Sequence, residues 1–239
     1  MNTVFILGDS IMKGVIFTGD SSDCKYKLYG DNKSFDGLAD RGIEIMNRSR
    51  MGATITYARE KLGRLIGIKS SSDAERKGNP DDFGVIFEYG GNDCDYKWAE
   101  ISADPTAVHH PNVDPEKFRA QYTDCIIRAK ERGAQVALTN LVPIDADKYF
   151  SYISRGLSGA NILSWLGDVS MLYRWQEYYS SIVEEIARSN DCHLIDLRGE
   201  FLRSHNYKRL IGNDGIHPTA EGHKLARSII ERSSAKLFA

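Results

Sequence analysis

The sequence predicts an α/β fold: a three-layer α/β/α sandwich around a mostly parallel five-stranded sheet. Short apolar segments rich in β-branched residues alternate five times with segments that carry apolar residues at helical spacing. This alternation is typical of parallel sheets, because each return to the same edge of the sheet requires a crossover, usually a helix. Hydrophobic residues make up 41% of the 239 residues, which is the ordinary share of a globular protein with a buried core.

The predicted strands are short and apolar, and they lie at residues 3–7, 43–46, 83–89, 135–141 and 193–197. The predicted helices lie at residues 54–68, 115–132, 170–189 and 219–237, and a brief helix starts at Ser10. Asp114 before Pro115 and Gly133 after the second long helix are typical of helix boundaries, with Asp114 as the expected N-cap.

Two segments fit neither pattern and are predicted to be insertions. Residues 94–113 are expected to be irregular, and residues 144–167 are rich in glycine and aromatic residues. Residues 18–34 and 69–82 are polar and are expected to form exposed loops. Because no internal repeat or linker divides the chain, we expect a single domain over residues 1–239.

Composition and charge argue against several classes of protein. The formal net charge is −2, so no broad basic field is available for nucleic acid or an anionic membrane. No apolar run approaches the ~18 residues that a membrane span requires. The N-terminus has no basic residue before its apolar run, so we expect a first strand and a cytoplasmic protein, although the sequence leaves secretion open. The four cysteines, Cys24 among them, form no C-x-x-C pair, so we expect reduced thiols and no metal site.

Two separated segments carry the parts of a nucleophilic site. Ser10 follows the first strand in Gly8-Asp9-Ser10-Ile11, and Asp214 precedes His217 by three residues before the last helix. A serine hydroxyl needs a base within hydrogen-bond reach, and a carboxylate can hold the imidazole in the required tautomer. Each segment also has a plainer explanation, since Ser10 could cap a helix and Asp214-Gly215 could be a simple turn.

Two further segments follow the second and third strands. Asn92, in Gly90-Gly91-Asn92-Asp93, could direct its amide at a developing oxyanion, where one donor is typically worth ~3–4 kcal/mol. Gly52 could offer a backbone N–H where a side chain would block the approach. A polar cap and a positive-φ turn are the alternatives. Because parallel strands present their carboxyl ends at one edge, we expect all these segments to meet there.

Together the four segments resemble the sequence blocks of the SGNH (GDSL-type) hydrolase family, with Asn47 and Gly52 forming the second block. The resemblance extends from residue 4 to about residue 230. It implies a flavodoxin-like α/β/α fold and hydrolysis of esters of lipids, small acyl groups or acetylated sugars. It also implies that no metal or organic cofactor is required.

The resemblance further implies a role for each matched residue. Ser10 would be the nucleophile, His217 the base and Asp214 the residue that orients His217. The oxyanion hole would consist of the Ser10 N–H, the Gly52 N–H and the Asn92 side-chain nitrogen. The remaining matched residues, Asp9 and Asp93, would support their loops.

The substrate is expected to contact aromatic side chains of the two insertions. We name Trp98, His109, Tyr152 and Trp165 as candidates. Residues 149–165 either cap the pocket or pack down on the sheet, and the sequence does not separate these alternatives. The neighbouring His109 and His110 are expected on a loop surface rather than in a metal site.

We therefore expect a serine hydrolase that cleaves short acyl or acetyl esters, including esters of carbohydrates. An acyltransferase with the same triad and a non-catalytic binding module on the same fold are the alternatives. A nucleotide binder is disfavoured, because no glycine-rich phosphate loop is present. The expected partner is a small-molecule ester, and the sequence is compatible with a homo-oligomer.

Overall fold

The computed structural model describes residues 3–19, 25–30, 42–66 and 83–238. Its strands are β1 (Thr3–Gly8), β2 (Val15–Phe17), β3 (Tyr26–Leu28), β4 (Glu44–Asn47), β5 (Phe83–Glu88), β6 (Gln135–Thr139) and β7 (His193–Ile195). Five of them form one sheet in the order β4-β1-β5-β6-β7, and every neighbouring pair in it is parallel. The predicted five-stranded parallel sheet is confirmed.

The helices are α1 (Ser10–Lys13), α2 (Ile55–Leu65), α3 (Trp98–Ala103), α4 (Pro115–Lys130), α5 (Ala146–Ile153), α6 (Gly159–Leu166), α7 (Ser170–Ser189), α8 (Leu197–Leu202) and α9 (Ala220–Leu237). A 3₁₀ turn, Tyr207–Leu210, precedes α9. The predicted helix at 170–189 has the observed bounds of α7, and the other long helices differ by a few residues at their ends.

Side chains of the sheet alternate between two hydrophobic cores. On one face, Phe5 and Leu7 of β1 pack in a buried cluster with residues of α2, α4 and α7. On the other face, Val4 and Ile6 pack with residues of α8 and α9. Because successive strand residues point to opposite faces, one short strand anchors both helical layers. The three-layer arrangement predicted from the sequence is therefore confirmed.

The insertions contain more regular structure than predicted. The segment expected to be irregular includes α3, and the segment 144–167 includes α5 and α6. Helices this short are marginal alone, so their stability depends on tertiary packing that sequence periodicity does not reveal. They form a third apolar cluster, whose buried members are Ile101, Ile144, Tyr149, Ile153, Ile162, Leu166 and Leu172.

A second correction concerns the segment predicted as an exposed polar loop at 18–34. Strands β2 and β3 pair antiparallel as a small separate sheet, with Phe17 opposite Tyr26. The loop predicted at 69–82 and Cys24 lie outside the described residues. Asp114 precedes α4 as predicted, but its side chain makes no capping hydrogen bond and instead faces His110, with Nδ1 to Oδ1 at 3.3 Å.

Among the described residues, Cys94, Cys125 and Cys192 are free thiols. In that part of the chain, no helix has the length and apolar character needed to cross a membrane. The same residues contain no group of three or more histidine, cysteine or acidic side chains placed to hold a metal ion.

Candidate active site

The strand order brings the four predicted segments together. Strands β4, β1 and β5 are neighbours, so the residues that follow them share one edge of the sheet. The loop before α9 reaches the same edge. Ser10, Gly52, Asn92 and His217 all line one cleft there.

Ser10, His217 and Asp214 form a continuous hydrogen-bonded chain. The Ser10 Oγ lies 2.9 Å from His217 Nε2, and His217 Nδ1 lies 2.5 Å from Asp214 Oδ2. Asp214 is fully buried, and its Oδ1 accepts the backbone N–H groups of Ile216 and His217 at 3.1 Å each. The carboxylate therefore fixes both the loop and the imidazole, leaving Nε2 as an acceptor for the serine hydroxyl.

Ser10 is not the cap of its helix. The N-cap of α1 is Asp9, whose Oδ1 accepts the Ile11 N–H at 2.8 Å. Ser10 is the first residue of α1 and is 6% exposed, at the floor of the cleft. Its hydroxyl is consequently available to His217 rather than engaged in capping.

Gly52 lies in a loop that is fastened to the nucleophile segment. Asn47 Nδ2 donates to the Met12 carbonyl at 2.7 Å, and the Arg50 N–H donates to the Gly8 carbonyl at 3.0 Å. The φ of Gly52 is +73°, a backbone conformation that residues other than glycine adopt only at a cost in free energy. A Cβ at this position would meet nothing within 4 Å, so the backbone conformation rather than space accounts for glycine here.

Asn92 connects the other two segments. Its Nδ2 donates to Asp9 Oδ2 at 2.8 Å and to the Ala53 carbonyl at 3.2 Å. Both amide hydrogens thus have acceptors within the protein. The side chain ties the Ser10 turn to the Gly52 loop, which differs from the simple polar cap considered from the sequence.

Asp93 does not line the cleft, and its side chain supports the start of α2. Its Oδ1 accepts the Ile55 N–H at 2.9 Å, whereas Oδ2 is buried without a hydrogen-bond partner. Burial is the main cause that raises the pKa of Asp93 to about 8, and the charge of Asp9 adds to it. A pKa of about 8 favours the protonated carboxyl group at neutral pH.

The remaining wall of the cleft is mostly apolar and aromatic. Two of the four predicted substrate contacts, Trp98 and Trp165, lie in it. The other two do not line it. His109 packs its ring against Trp165 at 5.8 Å, and the Tyr152 hydroxyl lies 2.8 Å from that of Tyr26.

Several wall residues were not among the four named candidates. Four such residues line the cleft. Tyr96 lies four positions after Asn92, Tyr149 lies in α5, and Trp175 and Gln176 lie on α7. Asp95 Oδ1 holds part of this wall together, accepting the Tyr149 hydroxyl at 2.5 Å and Trp98 Nε1 at 2.8 Å. The aromatic content of these segments was a visible signal, but the direction of each ring depends on tertiary packing.

A buried carboxyl at the end of β5 was also missed. Glu88 is 2% exposed and lines the cleft beside Asp9. Burial, together with the negative charge of Asp9, raises the pKa of Glu88 well above its usual range.

Comparison with known proteins agrees with this geometry. Residues 6–225 match the model of the GDSL-like lipase/acylhydrolase family. A search of curated proteins finds no matching sequence.

Solved structures with the same fold include three bacterial proteins. The lipase/acylhydrolase from Enterococcus faecalis is 15% identical with a TM-score of 0.62, covering 99% of this chain and 96% of its own. A catalytic mutant of an acetylxylan esterase from Geobacillus stearothermophilus is 16% identical with a TM-score of 0.61, covering 97% and 93%. A GDSL-like lipase from Bacteroides thetaiotaomicron is 15% identical with a TM-score of 0.59, covering 98% and 88%.

At these identities the structural likeness establishes the fold, whereas the family match extends over most of the sequence. The chain therefore belongs to the GDSL-like lipase/acylhydrolase family and is a carboxylic ester hydrolase.

Proposed function

We propose that the protein cleaves its ester through a covalent acyl-enzyme on Ser10. The observation that carries this proposal is the hydrogen-bonded chain from Asp214 through His217 to Ser10, with distances of 2.5 and 2.9 Å, beside an apolar cleft. His217 Nε2 takes the hydroxyl proton as Oγ attacks the carbonyl carbon. The buried Asp214 carboxylate stabilises the imidazolium that forms.

The negative charge that develops on the carbonyl oxygen needs donors at the same place. We assign this role to the backbone N–H groups of Ser10 and Gly52 and to the Asn92 amide. Asn92 exchanges one of its present acceptors, Asp9 or the Ala53 carbonyl, for the oxyanion. His217 then gives its proton to the leaving alcohol, and a water molecule activated by His217 releases the acid.

The composition of the cleft supports an apolar acyl group as its occupant. Leu141, Ile144, Leu172 and the aromatic rings of Trp98 and Trp165 form much of the wall. The cleft has a volume of about 170 Å³, which is more than an acetyl group fills. We propose short acyl esters as substrates, with acetyl esters of carbohydrates included because one relative of the same fold is an acetylxylan esterase.

The experiment is a comparison of p-nitrophenyl acetate, butyrate and octanoate as substrates of the wild type and Ser10→Ala. Loss of turnover of every ester in a folded Ser10→Ala variant is expected. Ser181→Ala, on the exposed side of α7, is the matched control and should retain full activity. Full activity of Ser10→Ala would overturn the mechanism.

Product analysis with and without a sugar acceptor distinguishes hydrolysis from acyl transfer, which the same groups could perform.

A further inference from the structure

Glu88 is a buried carboxyl group in the cleft wall that the mechanism above does not use. It ends β5 and pairs in register with Gly8, the last residue of β1. A Cβ on Gly8 would lie 2.9 Å from Glu88 Oε2 and 2.8 Å from the Met12 side chain. Glycine at position 8 therefore makes room for Glu88 directly beneath the nucleophile turn.

The contact of Glu88 is with Asp9. The Asp9 N–H donates to Glu88 Oε2 at 3.3 Å, and both side chains are buried, so the two carboxyl groups are close neighbours. Two buried carboxyl groups that lie next to each other repel strongly when both are ionised, which favours a single proton shared by the pair. One carboxyl group is thus the donor and the other the acceptor.

The other contacts of the pair indicate which group holds the proton. Asp9 accepts the Ile11 N–H and the Asn92 amide, each at 2.8 Å, and both bonds stabilise its anion. Burial raises the pKa of both groups, but these bonds oppose the rise at Asp9, whereas the charge of Asp9 adds to it at Glu88. These contacts favour Glu88 as the group that holds the proton.

We propose that Glu88 is a positioning residue of the oxyanion hole. Its protonated carboxyl group donates to the Asp9 carboxylate, which in turn holds the Asn92 amide. The inference rests on the proposed role of Asn92 as an oxyanion donor. Of the two acceptors of Asn92, Asp9 at 2.8 Å is the closer and charged one, and the Ala53 carbonyl at 3.2 Å is the weaker. The oxyanion replaces the Ala53 carbonyl as an acceptor of Asn92. The remaining hydrogen bond from Asn92 to Asp9 then determines the direction of the N–H that the oxyanion accepts.

The first test compares two substitutions of Glu88 with p-nitrophenyl butyrate as substrate. Glu88→Ala removes the donor and should lower kcat about 10- to 100-fold with KM nearly unchanged, part of the loss that removing a whole oxyanion donor causes. Glu88→Gln keeps an N–H donor for Asp9 and an oxygen for the Asp9 N–H, so its kcat should stay within about threefold of wild type. Equal activity of wild type and Glu88→Ala would overturn the proposal.

The second test separates positioning from a general structural effect. If Glu88 acts through Asn92, adding Glu88→Ala to Asn92→Ala should change kcat less than about twofold, because coupled residues are not additive. An undiminished effect of Glu88→Ala in that background would contradict the inference while leaving the proposed function intact. An unchanged kcat of Asn92→Ala alone would instead refute the oxyanion role of Asn92.

The third test needs only wild type and Glu88→Gln, so it decides the matter even if Glu88→Ala does not fold. The titratable groups that interact electrostatically with Glu88 are Asp9, Asp93, Tyr89 and Tyr122. Raising the pH removes the Glu88 proton and converts its attraction to Asp9 into repulsion. The kcat of wild type should therefore fall at alkaline pH with a step that Glu88→Gln lacks. Superimposable pH profiles of the two proteins would overturn the proposal.

Discussion

The phenol oxygens of Tyr26 and Tyr152 lie 2.8 Å apart and join strand β3 to helix α5 across 126 positions of the sequence. The Tyr26 ring also meets the imidazole of His217 edge-on, with ring centroids 5.4 Å apart. The segment predicted to be an exposed loop and the insertion rich in glycine and aromatic residues thus meet beside the candidate catalytic histidine.

This contact predicts different effects for two substitutions of Tyr26. Tyr26→Phe loses the hydroxyl contact but keeps the ring against His217, so kcat/KM should stay within about twofold of wild type. Tyr26→Ala removes the ring that limits the motion of the imidazole, and kcat/KM should fall about 3- to 10-fold, in the range of a small shift in a catalytic group. Steady-state kinetics with p-nitrophenyl butyrate measures both. Equal rates for Tyr26→Ala and Tyr26→Phe would show that the ring is dispensable.

Asp214→Asn should leave the fold intact but favour the wrong imidazole tautomer. An amide can donate to Nδ1, which would place the imidazole proton on Nε2 and remove the acceptor for the Ser10 hydroxyl. We expect kcat to fall about 10³- to 10⁴-fold. Asp124→Asn, in a partly exposed ion pair with Arg59, is the control and should change kcat less than about twofold. A comparable loss in both variants would argue against a specific role for Asp214.

The raised pKa of Asp93 predicts that the stability of the protein declines as the pH rises. Its pKa is about 8 in the folded protein and 3.8 as an ordinary aspartate, so the folded state holds one more proton between these pH values. Its contribution to the free energy of unfolding should therefore fall by ~1.4 kcal/mol per pH unit in this window and stay constant above it. Asp93→Asn keeps an acceptor for the Ile55 N–H without titrating.

Urea unfolding of wild type and Asp93→Asn at pH 5, 6, 7 and 8 measures the difference directly. The advantage of the variant over wild type should grow with pH. Stability curves that run parallel over this range would mean that Asp93 is ionised in the folded protein.

The lowered pKa of His223 predicts the opposite effect: the stability of the protein should decline as the pH falls below about 6.5. Burial lowers its pKa from 6.5 to about 4, its Nε2 lies 2.8 Å from the Val15 carbonyl oxygen, and its ring stacks on Tyr29. The unfolded chain therefore binds one more proton between these pH values. The His223 contribution to stability is complete above pH 6.5 and should be lost by ~1.4 kcal/mol per pH unit as pH falls to about 4.

His223→Gln retains an amide N–H for the Val15 carbonyl but has no titrating group. Its free energy of unfolding should fall less than that of wild type between pH 7 and 4.5. An identical decline in the two proteins would exclude His223 as the source of acid sensitivity.

The parts of the fold that were predictable are those with long or buried patterns. The 20 residues of α7 carry a continuous apolar face, and β1 is an uninterrupted apolar run. Strand β3 has only exposed residues, so no burial pattern marked it. Helices α5 and α6 are eight residues each, too short for periodicity to separate them from loop.

The same distinction applies to the candidate site. Ser10, Asn92 and Gly52 follow adjacent strands, so their meeting at one edge follows from strand order alone. In the sequence, Glu88 is one more residue of a predicted strand. The positioning role proposed for it depends on its contact with Asp9, which only the fold brings about. The placement of Tyr26 beside His217 depends likewise on packing of a hairpin that the sequence did not reveal.

Covalent labelling with a fluorophosphonate shows directly whether Ser10 is the nucleophile. One adduct per chain is expected, located by peptide mass mapping on the segment that contains Ser10, with esterase activity lost in proportion to labelling. The Ser10→Ala variant should remain unlabelled. An adduct on a different residue, or active enzyme that resists labelling altogether, would contradict the role of Ser10 as the nucleophile.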